Sequence, residues 1–209
     1  MTTAPVQRHK PVQARSRRTV TKILDAAAAI INEEGIEAAT TRAIADRAGV
    51  SYPSLYRFFA DRDEILERLC FRHLSELAAL GEAAERTWEI HSVADLFEAE
   101  LDRLVAYYRE HPNAARLWLV GRSSTIVLNQ TRANMRALAE RMHAMLINAE
   151  LIPPDTDPRA LLVAIEIGDR ILEMAYRESN EFDPELLDLG RKALIACAND
   201  LAKTGPPVS

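Results

Sequence analysis

Thr40-Thr41-Arg42-Ala43-Ile44-Ala45-Asp46-Arg47-Ala48-Gly49-Val50-Ser51-Tyr52-Pro53-Ser54-Leu55-Tyr56 is the stretch whose reading decides the fold. Two short helical patterns flank one glycine. Thr40 suits the N-cap of a helix over about 41–47, because its hydroxyl can accept an otherwise unpaired first-turn N–H. Gly49 suits the left-handed backbone that stops a helix and turns the chain. Ser51 is placed to cap a second helix over about 52–58, with Pro53 tolerated in its first turn. Ile44, Ala45, Ala48, Val50 and Leu55 would make a small core. Helix, glycine turn, serine cap and short helix together are the plan of a helix-turn-helix, whose second helix lays its N-terminal residues against base edges in the major groove.

The flanks agree with that plan. Upstream, Val20, Ile23, Leu24, Ala27, Ile30 and Ile31 form an apolar stripe at helical spacing, predicting a helix from about Ser16 to Glu34 that Gly35 ends. Downstream, Asp61 is a cap for a long fourth helix, with Asp63 and Glu64 complementing its dipole. Leu66, Leu69, Cys70, His73, Leu77 and Leu80 would line one face of it. Further helices are expected over about 92–110, 113–120, 123–149, 157–179 and 184–203, where Asp157-Pro158 and Asp183-Pro184 each read as an N-cap followed by a first-turn proline. The expected organisation is all-α with about nine helices: a flexible basic arm over 1–15, a helix-turn-helix domain over 16–60 and a helical domain over 61–204.

Composition narrows the class. The 209 residues are 48% hydrophobic and 27% charged with only 7 glycines, a globular rather than a disordered balance. Apolar runs such as Ala26–Ile31 and Ala160–Ile165 fall far short of the roughly 20 residues of a membrane span. The N-terminus has no apolar core of a secretory signal, and Cys70 and Cys197 make neither a disulfide framework nor a zinc site, so a cytoplasmic chain without metal, cofactor or membrane partner is expected. The formal charge of −5 hides an asymmetry: residues 1–60 carry 9 Lys/Arg against 5 Asp/Glu, and residues 61–209 carry 17 against 26. A basic head on an acidic body suits one end that meets a polyanion.

From about residue 16 to 68, through Tyr56-Arg57-Phe58-Phe59-Ala60-Asp61-Arg62-Asp63-Glu64-Ile65-Leu66, the chain resembles the TetR (tetracycline repressor) family of bacterial regulators. The resemblance implies a role for each matching residue. Thr41 matches a phosphate-contacting position. Arg42 matches one that reaches a base, where arginine pairs well with guanine O6/N7. Ser51, Tyr52, Pro53 and Ser54 begin the recognition helix, with Tyr52 and Pro53 at base-facing positions. Tyr56 matches a phosphate-binding tyrosine, and Arg57 takes a neighbouring phosphate. Arg62 stands where the family usually has lysine and would also hold a phosphate. Arg17 and Arg18 would precede helix 1 and meet the DNA backbone.

The same resemblance implies a homodimer on a palindromic operator in double-stranded DNA, and a small-molecule effector in a cavity of the C-terminal domain. Two heptad-like stripes are dimer candidates: Leu161, Ile165, Gly168 and Leu172, then Leu187, Gly190, Leu194, Cys197 and Leu201. The alternative is that these stripes face the subunit's own core. For the effector, the candidates are aromatic, Met or polar groups on apolar faces: Phe97, Tyr107, Trp118, Arg122, Asn134, Met135, Met142, Glu166 and Asp169. Plain core packing is the competing reading for Trp118 and Met135. An all-α enzyme finds no HExxH, GxSxG or phosphate loop, and His9, His73, His91, His111 and His143 are scattered. A helical adaptor or architectural protein would leave the basic head unexplained. The expectation is therefore a ligand-responsive repressor that is not an enzyme.

Overall fold

The computed structural model describes residues 10–120, 124–201 and 203. Among them there are nine α-helices and no strand: α1 (Lys10–Glu34), α2 (Thr41–Ala48), α3 (Tyr52–Tyr56), α4 (Arg62–Glu85), α5 (Val93–Glu110), α6 (Pro112–Ala115), α7 (Thr125–Asn148), α8 (Pro158–Tyr176) and α9 (Pro184–Leu201). A 3₁₀ turn over Ile36–Ala38 follows α1, and a π-helical turn over Arg116–Val120 continues α6. No helix among the described residues is long and apolar enough to cross a membrane.

Local chemistry sets most of these boundaries. The Thr40 hydroxyl accepts from Ala43 N at 3.2 Å, and Gly49 closes α2 in the left-handed region at φ 63. Asp61 Oδ1 accepts from Glu64 N at 2.8 Å, while the Glu64 carboxylate reaches back to Ala60 N at 2.6 Å. Asp157 and Asp183 accept first-turn N–H groups of α8 and α9. Several boundaries depart from expectation, among them the end of α8 at Tyr176, three residues early. Helix α1 begins at Lys10, because Pro11 falls in its first turn, where a missing N–H costs nothing; residues 10–15 of the expected arm are thus helical. Helix α3 stops at Tyr56, two residues early. The expected helix over 113–120 divides into α6 and the π turn.

The chain forms two compact units, Met1–Leu69 and Cys70–Ser209, divided inside α4 rather than at its start. In the N-terminal unit α1 packs on α2, and α2 on α3. Its core contains Ile23, Ile31, Ile44, Leu55, Phe59, Ile65 and Leu69, each at most 2% exposed. The first turn of α4 belongs to this unit because Arg62 ties it down: Nε donates to Ala39 O at 3.0 Å and Nη2 to Ile36 O at 2.6 Å.

In the C-terminal unit α8 packs against both α7 and α9, and α5 against α9. One apolar cluster gathers Leu96, Phe97, Met142, Leu146, Leu161 and Leu194; a second gathers Leu101, Val105, Tyr108, Leu172, Tyr176 and Leu187. These clusters absorb the heptad stripes. Leu161, Gly168, Leu172, Leu187 and Leu194 are buried inside their own subunit. Gly190 lies against Ile171 of α8, and Ile165 and Cys197 are half-buried. The side chain of Leu201 lies outside the described residues. Period-3.5 spacing marks a seam between two helices; at Leu161, Gly168, Leu172, Leu187 and Leu194 that seam lies within one chain, while Ile165, Gly190 and Cys197 keep part of their surface accessible. Leu80 is also displaced from its expected face, 48% exposed on α4.

Candidate functional site

On the N-terminal unit, the expected contact residues form an exposed surface on and beside the helix-turn-helix. Arg42, Ser51, Tyr52, Pro53, Tyr56 and Arg57 are exposed, and Thr41 and Ser54 half-buried. Tyr52 and Tyr56, one turn apart on α3, meet in a tilted ring contact with centroids 5.4 Å apart and remain 41% and 47% exposed. Tyrosine, with an apolar ring and a polar hydroxyl, is a residue type enriched at interfaces. Thr41 Oγ1 and Tyr52 Oη lie 3.1 Å apart, linking the start of α2 to the start of α3. Ser51 begins α3 through its backbone, its side chain making no capping bond.

The cations divide by use. Arg47 is forked onto Glu33 of α1, whose carboxyl this bond holds below its usual range. Arg62 braces the 3₁₀ turn through the Ile36 and Ala39 carbonyls and lies near Glu37 and Asp63. Its expected phosphate role thus meets a guanidinium already engaged inside the unit. Arg57 lies over the Phe58 ring at 5.6 Å. Arg42 is exposed and makes no hydrogen bond or ion pair among the described residues. Arg17 and Arg18 sit within α1 rather than before it, both exposed.

The C-terminal unit encloses a cavity of about 340 Å³. Its wall comes from α4 (Leu74, Leu77, Ala78, Gly81), α5 (Phe97, Leu101, Leu104, Tyr108), the π turn (Trp118), α7 (Thr131, Asn134, Met135, Leu138), α8 (Ala164, Ile165, Gly168, Asp169) and α9 (Leu194). Of the expected effector residues, Phe97, Trp118, Asn134, Met135 and Asp169 line it. Met142 does not, being fully buried in the first cluster. Glu166 does not either, because it points off the exposed face of α8. Arg122 lies outside the described residues.

Tyr107 is also redirected. Its hydroxyl donates to Glu76 at 2.8 Å and sits 2.7 Å from His73 Nδ1, while His73 Nε2 lies 2.5 Å from Asn113 Oδ1. This network joins α4, α5 and α6. Burial of His73 outweighs its polar neighbours and lowers its pKa, favouring a neutral ring. Its neighbour Tyr108 lines the cavity instead. Sequence reasoning named no α4 residue among the effector contacts, although Leu74, Leu77, Ala78 and Gly81 repeat at i, i+3, i+4 and i+7.

Charged groups at the cavity are Glu82, Glu100, Arg103, Arg141 and Asp169. Arg103 is forked onto Glu100, and Arg141 pairs with Glu85. Burial, with Glu166 and Glu173 nearby, pushes the Asp169 carboxyl up to about 6.

Comparison with known proteins places these units. Residues 23–69 match the family model of bacterial regulatory proteins, tetR family. The chain is 35% identical over 69 residues to the uncharacterized HTH-type transcriptional regulator YvkB of Bacillus subtilis (strain 168), covering 33% of this chain and 36% of the relative. It is 44% identical over 57 residues to the HTH-type transcriptional repressor KstR2 of Mycobacterium tuberculosis (strain ATCC 25618 / H37Rv), covering 27% and 28%. These matches thus span only about a third of the curated relatives' length. Over most of the chain, the fold is similar to a TetR-family transcriptional regulator from Streptomyces coelicolor (TM-score 0.65, 27% identity, 88% of this chain and 99% of that one). It is also similar to the regulator FadR from Bacillus subtilis in complex with stearoyl-CoA (TM-score 0.68, 17% identity, 86% and 97%), a likeness of fold alone. Residues 23–69 thus match the tetR family of bacterial regulatory proteins, and over most of the chain the fold is similar to that of a TetR-family transcriptional regulator.

Proposed function

We propose that the chain is a ligand-responsive, sequence-specific transcriptional regulator that works as a homodimer: a repressor released from a palindromic operator by a small molecule. The observation that carries this reading is the surface of the helix-turn-helix, where Arg42, Tyr52, Pro53, Tyr56 and Arg57 stand exposed while two nearby cations, Arg47 and Arg62, are taken up by internal partners. Arg42, Tyr52 and Pro53 read bases; Thr41, Ser51, Ser54, Tyr56, Arg57, Arg17 and Arg18 hold phosphates and fix register. The name of the relative KstR2 supports repression as the direction of control.

One short recognition helix gives little affinity, and two copies on a two-fold axis read half-sites roughly 34–36 Å apart. The exposed apolar groups of α8 (Val163, Met174) and α9 (Leu186, Leu189) supply the dimer face in place of the buried stripes. The cavity takes the effector. Its α4 wall lies on the helix whose first turns belong to the DNA-binding unit, so a ligand that prefers one α4 position disfavours DNA by that difference.

The test is selection of bound duplexes from a random pool by the purified full chain. Recovery of a symmetric site, bound with steep salt dependence from phosphate neutralisation, is the expected result. Absence of any duplex binding at low ionic strength would overturn the proposal.

A further inference from the structure

The charges on the cavity wall are unequally matched. Arg103 Nε meets Glu100 Oε2 at 2.8 Å, and its Nη1 donates to Leu77 O at 3.2 Å. Arg141 Nε meets Glu85 at 3.1 Å. Glu82 is exposed to solvent. Asp169 differs from all of these: it is partly buried on α8, lines the cavity, and has no hydrogen bond or ion pair among the described residues. The groups facing it are Tyr108 from α5 and Glu166 and Glu173 on its own helix, none of them a cation. Tyr108 is 4% exposed, lines the same cavity, and its hydroxyl also has no partner among the described residues.

A carboxylate withdrawn from water with no donor is costly, and a ligand that brings the donor recovers that cost. Apart from Thr131 and Asn134 on α7, the uncharged wall is apolar and aromatic. An anionic ligand would find both guanidiniums already neutralised and a carboxylate opposing it. A volume of about 340 Å³ is at the small end for ligand pockets, enough for a ring and a short chain.

We propose that the effector is an apolar amine, its ammonium donating to the Asp169 carboxylate and the Tyr108 hydroxyl oxygen, its body against Trp118, Phe97 and Met135. The proposal rests on the reading of this cavity as the effector site.

The test is calorimetric titration of the full chain near neutral pH with three probes of one shape: phenylbutylamine, phenylbutanol and phenylbutyrate. The amine should bind about tenfold or more tighter than the other two, as a charge-assisted bond requires. Asp169→Asn, shown to be folded by its thermal transition, should bring the amine down to the level of the alcohol and leave the alcohol within about twofold. Equal or tighter binding of the acid, no saturable binding of the amine, or an amine preference that survives Asp169→Asn would overturn the proposal. DNA binding by the same preparations separates the two readings. Intact duplex binding without amine preference sinks this inference alone; amine preference without duplex binding sinks the regulator and leaves the charge selectivity standing.

Discussion

Thr41 Oγ1 and Tyr52 Oη stand 3.1 Å apart, joining the first residue of α2 to the first residue of α3. The bond bridges the two helices across the Gly49 turn and so fixes the angle at which α3 is presented. Tyr52→Phe keeps the ring packed on Tyr56 and removes only this link. Because both groups are accessible to water, unfolding free energy should change by less than about 1 kcal/mol. DNA affinity should fall, and by a similar amount in Thr41→Val. If the link acts through geometry, the double variant loses no more than either single one, with a coupling of about 0.5–1.5 kcal/mol in a double-mutant cycle on duplex binding. Strictly additive losses would mean that the two side chains act on DNA independently.

Arg42 and Arg62 separate recognition from support. Arg42 is exposed, so Arg42→Ala should leave thermal unfolding unchanged and relax preference at one operator position by about 1–3 kcal/mol. Arg62 satisfies two backbone carbonyls, so Arg62→Ala should destabilise the N-terminal unit by about 1–3 kcal/mol. Its DNA binding should weaken for all sequences alike, following the loss of folded protein. Urea unfolding and site selection on both variants decide the assignment. An unchanged stability for Arg62→Ala would return that residue to the phosphate-binding set.

The parts of the fold that sequence reveals are those governed by neighbours in the chain. Thr40, Gly49, Asp61, Asp157 and Asp183 act within three residues of their own position, and each does what its type predicts. Which surface a helix turns toward its neighbours is a longer-range property. Tyr107 and Tyr108 are adjacent, about 100° apart on α5, and only packing decides that one closes a polar network and the other lines the cavity. The α8 and α9 stripes likewise announce a helix seam without saying whose helix fills it. Arg62 shows the same limit for charge, since the carbonyls it serves lie 23 and 26 residues away.

That seam is tight at Gly190. A Cβ placed there would run into Cγ2 of Ile171 and come within 3.1 Å of its Cγ1. Isoleucine is branched at Cβ and has little rotamer freedom in a helix, so it cannot step aside cheaply. Gly190→Ala should destabilise the C-terminal unit by about 1–3 kcal/mol, outweighing the better helix propensity of alanine. Pairing it with Ile171→Val should restore part of the loss. A thermal midpoint at or above that of the parent would show that α9 can shift.

Asp169 makes stability depend on pH. Its carboxyl is raised from 3.8 to about 6 in the folded chain, so the native state holds that proton more firmly than the unfolded one. The stability it contributes is present below about pH 4 and lost as pH rises through 6. Asp169→Asn, which cannot ionise, should therefore match the parent at pH 4 and exceed it above pH 7. The difference has an upper limit of about 3 kcal/mol, at about 1.4 kcal/mol per pH unit. Urea unfolding across that range measures it, and a difference independent of pH would mean that the carboxylate is not strained.

Burial decides which apolar residues of α8 and α9 are available to a second copy. Leu194 is 3% exposed and Leu189 63% exposed, on the same helix. A glutamate at Leu194 would be placed inside the first apolar cluster, and Leu194→Glu should unfold the C-terminal unit, since an unpaired buried charge costs several kcal/mol. Leu189→Glu changes only the surface, and should leave the monomer folded while splitting the dimer; Met174→Lys on α8 should do the same. Sedimentation velocity together with the thermal transition reads both effects. Dimers that persist in the Leu189→Glu/Met174→Lys double variant would place the two-fold contact on another face, such as the one bearing Ile126 and Leu128 on α7, which are 61% and 44% exposed. Duplex binding adds an independent check, because a folded monomer with an intact helix-turn-helix should still grip one half-site weakly and lose the benefit of two linked contacts.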